Sequence, residues 1–121
     1  ECDGVLCVGR TTTLEEMRAW YQEASVFVNS TLADNFTTTN IEALASGTPV
    51  VTFNTGGSPE AIDEYTGRVV AQGDVNGLLN AVVELCNQNR AKLREMCLAR
   101  SKLFSLDQYN EYVALYKKLL L

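Results

Sequence analysis

Up to Val70 the chain alternates short apolar runs with stretches of helical periodicity, and beyond it helical periodicity alone remains. Val5-Leu6-Cys7-Val8, closed by Gly9, predicts a buried strand. Thr13-Leu14-Glu15-Glu16 has the spacing of a capping box, and the helix it opens carries Leu14, Met17, Trp20, Tyr21 and Ala24 on one face. Ser25-Val26-Phe27-Val28-Asn29 predicts a second strand, apolar without strict alternation, as expected where helices cover both faces of a sheet. A polar loop from Ser30 to Thr38 leads into a helix of about two turns, which Gly47 ends at a position favouring left-handed backbone. Pro49 then precedes the strand Val50-Val51-Thr52-Phe53.

Further along, Thr55-Gly56-Gly57-Ser58-Pro59-Glu60 predicts a turn into a short helix, with Ser58 as N-cap and Pro59 first inside it. Tyr65-Thr66-Gly67 breaks that helix, and Arg68-Val69-Val70-Ala71 reads as the last strand. From Asp74, a good N-cap, Leu78, Leu79, Val82, Val83 and Leu85 outline an amphipathic helix to Cys86. A second helix is expected from Arg90 to Phe104. A third follows the capping box Ser105-Leu106-Asp107-Gln108, with Tyr109, Tyr112, Val113, Tyr116, Leu119 and Leu120 on its apolar side. Strand and helix in alternation predict one α/β domain over residues 1–121: a Rossmann-like parallel sheet flanked by helices, with a helical C-terminus.

Composition narrows the function without naming it. A net charge of −5 and a pI near 4.6 argue against nucleic acid or anionic membrane as bulk partners, since both require a basic surface. His is absent, which excludes a His-based triad or a His general base. The four cysteines, at positions 2, 7, 86 and 97, form no C-x-x-C pair, so no zinc spacing and no metal site is expected. Cys86 and Cys97 sit in helical apolar patterns, where reduced thiols act as small hydrophobes, as in a cytoplasmic protein.

Candidate chemistry concentrates between Asp34 and Val51. Asp34 and Glu42 stand eight positions apart, astride the hydroxyl-rich run Thr37-Thr38-Thr39 at a helix start. Unpaired amides and the helix dipole at such a start attract phosphate, and the position lies outside the carboxyl end of a parallel strand, where open α/β sheets bind ligands. Glu42 has two readings: the closing residue of a capping box Thr39-Asn40-Ile41-Glu42, or a carboxylate accepting hydrogen bonds from a ribose diol. Asp34-Asn35 could equally be a loop pair bonding its own backbone. Arg10, just past the first expected strand, could approach the same edge or simply be solvated.

Taken together, the run from Asp34 to Val51 resembles the donor-binding motif of retaining glycosyltransferases of the GT-B fold, family 4 in particular. That motif sets two acidic residues seven intervening positions apart, followed by Ala-(Leu/Met)-Ala-small-Gly-x-Pro-Val-Val. Here Asp34 and Glu42 are so spaced, and Ala43-Leu44-Ala45-Ser46-Gly47-Thr48-Pro49-Val50-Val51 follows. Upstream, Leu14-Glu15-Glu16-Met17 and Tyr21-x-x-Ala24-Ser25-Val26-Phe27-Val28 are similar to the family's preceding helix and strand. Downstream, Gly56-Gly57-Ser58-Pro59-Glu60 matches its Gly-Gly-x-Pro-Glu turn.

The resemblance implies roles for matching positions only. Asp34 becomes the catalytic carboxylate facing the donor sugar, although the family usually has Glu there, one methylene longer. The backbone of Asn35, Phe36 and Thr37 would contact sugar hydroxyls, and amides near Thr38 and Thr39 would hold a diphosphate. Glu42 would bind ribose, and the turn from Gly9 to Thr11, with Arg10, would lie near the base. The implied activity is hexose transfer from a UDP- or GDP-sugar to a sugar or lipid-linked acceptor, without a metal or cofactor. The parent enzyme would be cytoplasmic, or peripheral to a membrane. The resemblance also implies that the chain starts midway through the family's C-terminal domain. The acceptor domain and the basic phosphate-binding residues would then lie outside it, leaving the chain inactive alone and prone to self-associate through its last helix. Two other readings share these residues: a non-catalytic α/β binding module, and a sugar epimerase or phosphorylase of the same fold.

Overall fold

The sheet is built around β2 (Val50–Phe53), with β1 (Phe27–Asn29) and β3 (Gly67–Val70) on either side. Both pairings are parallel: Phe27 lies opposite Val50, and Val50 in turn opposite Gly67. The computed structural model describes residues 3–35 and 37–120, the side chains of 106–109 excepted. All four β2 residues are buried, as a strand covered on both faces requires.

Successive side chains of a strand point to opposite faces, so β2 feeds two cores. Val50 packs with Ala43, Leu44, Ala61, Ile62 and Cys97, beneath α2 (Thr38–Ala45) and α4 (Arg90–Ser101). Val51 packs with Ala81, Leu85 and Leu93, beneath α3 (Val75–Cys86). Each fully buried Val or Leu contributes about 1.5–3 kcal/mol, so these two clusters supply most of the cohesion. α1 (Leu14–Glu23) lies against α2, and α5 (Leu106–Leu120) packs on the 3-10 turn Lys102–Phe104. The expected parallel sheet flanked by helices, with a helical C-terminus, is the observed architecture.

The helix ends follow the sequence signals. Thr13 Oγ1 accepts from the Glu16 amide at 3.1 Å, while Glu16 Oε2 accepts from the Thr12 amide at 3.2 Å. Asp74 accepts from the Gly77 amide at 2.9 Å and starts α3. At the end of α2, Gly47 takes φ +82°; its amide bonds Leu44 O and that of Thr48 bonds Ala43 O, both at 2.9 Å. That is a Schellman ending, and it turns the chain directly into β2.

Several expectations fail. Val5–Val8 is not a strand: it lies outside the sheet with Val5, Leu6 and Val8 exposed. A buried parallel strand needs cover on both faces, and among the described residues none packs over this segment. The apolar face of α1 is thinly covered for a related reason, since no residue of that helix is buried and Leu14 and Trp20 face solvent. The turn after Gly57 is a single 3-10 segment, Ser58–Ala61, capped by Gly57 rather than by Ser58. Cys86 is exposed whereas Cys97 is buried; Cys7, Cys86 and Cys97 are free, and Cys2 lies outside the described residues. The capping box expected at 105–108 also falls largely outside the described side chains. No helix of the described residues is long and apolar enough to cross a membrane.

Candidate functional site

β1 ends in Asn29, and there a polar network replaces the apolar core. Asn29 Nδ2 donates to Asn40 Oδ1 at 2.9 Å, and Asn29 Oδ1 accepts from the Thr31 amide at 3.2 Å. Asn40 is fully buried in the first turn of α2 and donates through Nδ2 to Ser58 O at 2.9 Å and Ser58 Oγ at 3.0 Å. Ser58 Oγ meets Thr52 Oγ1 at 2.7 Å. One chain of hydrogen bonds therefore joins the ends of β1 and β2, the start of α2 and the turn after Gly57. Buried polar groups survive only when paired, and this network sets where α2 begins.

The loop carrying Asp34 is pinned from three directions. Thr31 Oγ1 donates to Ala33 O at 3.1 Å, Gln72 Nε2 to Leu32 O at 2.9 Å, and the Gly57 amide to Asp34 O at 3.3 Å. Gly56, at φ +50°, passes so close that an added Cβ would stand 1.7 Å from Asp34 O. The side chains of Asp34 and Asn35 are exposed, and Phe36 lies outside the described residues.

Thr37 is the N-cap of α2, with extended backbone, and makes no side-chain cap bond. Its hydroxyl is buried without a partner among the described residues, as is that of Thr55. Thr38 and Thr39 are the first two helical residues, Thr38 exposed and Thr39 half-buried. Amides at these positions have no intrahelical acceptor, and the first turn of α2 contains no acidic side chain to neutralise them. A positively polarised helix end at the carboxyl edge of a parallel sheet has the chemistry to attract an anion.

Glu42 does not close a capping box. With Thr37 as N-cap it is the fifth helical residue, and its carboxylate turns toward α1, where Oε2 accepts from Tyr21 Oη at 3.1 Å. The pair lines a cavity of about 150 Å³ with Leu14, Met17, Arg18, Ala45 and Ser46. Burial, then the hydrogen bond to Glu42 and its charge, push the Tyr21 phenol up to about 12. No contact joins Asp34 to Glu42: the former is tied to the Gly56–Gly57 turn, the latter to α1. Arg10 is exposed and bonded to neither. Among the described residues no His/Cys/Asp/Glu cluster could hold a metal ion.

A larger cavity, about 230 Å³, lies at the other edge of the sheet, lined by Tyr65, Arg68, Asn89, Lys92 and Met96 among others. Its strongest cation is already committed: Arg68 pairs with Glu84 at 2.7 Å and bonds the carbonyls of Glu64 and Gly67. Sequence reasoning overlooked Asn29, Asn40, Ser58, Thr52, Gln72 and the Tyr21 hydroxyl. For Asn29 and Thr52 a signal existed, because a polar residue within an otherwise apolar strand must find a buried partner.

Residues 1–88 match the family described as "Glycosyl transferases group 1". The chain is 30% identical over 119 residues to the lipopolysaccharide core biosynthesis mannosyltransferase LpsB of Rhizobium meliloti, covering 93% of this chain and 33% of that protein. It is 42% identical over 57 residues to the D-inositol 3-phosphate glycosyltransferase of Streptomyces coelicolor, covering 46% of this chain and 12% of that one. The enzyme of that name from Streptomyces griseus is 39% identical over 59 residues, 49% of this chain and 12% of its own length. The chain thus spans a third or less of the curated relatives it matches.

Proposed function

This chain belongs to the group 1 glycosyl transferases, and we propose that the edge formed by Asp34, the start of α2 and Glu42 binds the donor nucleotide-sugar of a retaining enzyme. The reaction is transfer of a hexose from a UDP- or GDP-sugar to a sugar or lipid-linked acceptor. The observation that carries this reading is the open N-terminus of α2, with an unpartnered Thr37 hydroxyl behind it and the Glu42 carboxylate on its flank.

In this reading the diphosphate sits on the amides of Thr38 and Thr39. Negative charge grows on it as the glycosidic bond breaks, and a preorganised helix end stabilises that charge without rearranging. Asp34 faces the donor sugar, the backbone of Asn35, Phe36 and Thr37 contacts its hydroxyls, and Glu42 accepts from the ribose diol. Arg10 lies toward the base. The acceptor then attacks from the face the nucleotide leaves, giving retention. The helix end meets the leaving-group charge, so the scheme requires no metal. A cytoplasmic location, or a peripheral one for a lipid-linked acceptor, suits a nucleotide-sugar donor. Names of the relatives support transfer over the epimerase, phosphorylase and non-catalytic alternatives, since each is named for moving a sugar.

Titration of the chain with UDP and GDP tests this. Amide signals from Thr38 to Glu42 should shift, and Glu42→Gln should weaken binding by about 1.5–3 kcal/mol, the range for a hydrogen bond to a charged group. Shifts confined to the Tyr65–Arg68 cavity, or an unaltered affinity in the Gln variant, would remove the assignment.

A further inference from the structure

We propose that Tyr21 is a positioning residue for nucleotide recognition, holding the Glu42 carboxylate in the orientation that accepts the ribose diol; this rests on the ribose role given to Glu42 above. Glu42 projects from α2 across a groove to α1, where a Glu side chain has three rotatable bonds and no neighbouring cation bonded to it. Tyr21 Oη donates to Oε2 at 3.1 Å, while Oε1 has no partner among the described residues. An ionised carboxylate offers about four lone-pair sites. Tyr21 takes one and fixes the carboxylate plane, leaving the rest to two vicinal hydroxyls.

Tyr21 itself is held firmly enough to do this. Its ring packs edge-on against Phe27 of β1, with centroids 5.3 Å apart and planes at 74°. Its carbonyl accepts from Thr48 Oγ1, the residue after the Gly47 turn that ends α2. The ring is therefore referenced to the sheet, and its backbone to the helix that carries Glu42. The phenol is protonated, and so a donor, throughout the neutral range, as any tyrosine is. A carboxylate fixed before the ligand arrives loses less rotamer freedom on binding, which is how preorganisation raises affinity.

The test separates this role from mere packing by using the hydroxyl at issue. UDP and 2′-deoxy-UDP, and the corresponding guanosine pair, are titrated into the 121-residue chain, Tyr21→Phe, Glu42→Gln and the double variant. Phe keeps the ring against Phe27, and a urea unfolding curve checks each fold. Wild type should prefer the ribo ligand; Glu42→Gln should abolish the preference; Tyr21→Phe should reduce it about three- to tenfold, the loss of one such bond. The double variant should be no weaker than Glu42→Gln alone, because both changes break one unit. A preference lost in Glu42→Gln but intact in Tyr21→Phe overturns the role of Tyr21 only. Equal weakening of ribo and deoxy ligands by Tyr21→Phe overturns it too, leaving a packing residue. Absence of any preference in wild type, or its survival in Glu42→Gln, overturns the ribose role of Glu42 and the proposal built on it.

Discussion

At the scale of single residues, two buried polar side chains at the start of α2 should respond to mutation in opposite ways. Asn40 is fully buried and satisfied, bonded to Asn29 and twice to Ser58. Asn40→Ala strands the buried Ser58 carbonyl and the Asn29 amide nitrogen, while Ser58 Oγ keeps Thr52, and each buried group left unpaired costs about 1–3 kcal/mol. Thr37 is buried with its hydroxyl unpartnered. Thr37→Val keeps the shape and removes the orphan, so stability should hold or rise by up to about 1–3 kcal/mol. Urea unfolding of both variants checks this, and a Val variant as unstable as the Ala variant would mean the Thr37 hydroxyl is satisfied in solution. The sequence marks Thr37 and Glu42 as chemistry but leaves the role of Glu42 open between cap and ligand. Only the position of the N-cap removes the cap reading, and that start of α2 is tied by Asn40, whose partners come from β1 and the turn after Gly57. Such a long-range constraint has no local signature.

Elements whose boundaries depend on local chemistry were legible: the caps at Thr13 and Asp74, the Gly47 ending of α2, and strands β2 and β3. Elements whose existence depends on a neighbour were not. Val5–Val8 has the apolarity of a strand but no cover over it, and apolarity alone cannot create a partner. The same distinction governs the two turns that frame the site. Gly47 and Gly56 both take positive φ, at +82° and +50°, so Ala at either costs about 1–2 kcal/mol for left-handed backbone. What a new Cβ would meet differs. At Gly47 it meets the exposed Arg94 side chain, which can swing aside; at Gly56 it meets the Asp34 carbonyl at 1.7 Å, which cannot. Gly56→Ala should therefore cost clearly more than Gly47→Ala and shift the amide signals of the Asp34 loop, whereas Gly47→Ala should leave that loop in place. Equal costs would show that loop and turn are not packed as described.

For the whole molecule, charge sets the limit on what these residues accomplish alone. A nucleoside diphosphate brings about two or more negative charges, in the manner of other phosphate groups, to a chain of net charge −5. Three of the six arginines are already committed: Arg68 to Glu84, Arg90 to the carbonyls ending α1, and Arg100 to the Glu60 and Ala61 carbonyls. In the proposed site the anion rests on the end of α2, and a helix terminus contributes only about 0.3–2 kcal/mol. Hydrogen bonds to charged groups at Glu42 and the first amides add about 1.5–3 kcal/mol each, against the entropy of association. So few favourable contacts leave weak binding, and the expected Kd is about 1 mM. Orienting an acceptor is a separate requirement, worth about 7–11 kcal/mol of the barrier. The chain's match covers a third of the mannosyltransferase it resembles. The chain by itself should therefore bind UDP or GDP near the millimolar range, more weakly as salt is added, and transfer no sugar at a measurable rate. Calorimetry at two ionic strengths and a radiolabelled donor assay measure both. Micromolar binding would mean that the α2 terminus is a far stronger anion site than its dipole allows, and detectable glycosyl transfer would mean that the acceptor site lies within these residues after all.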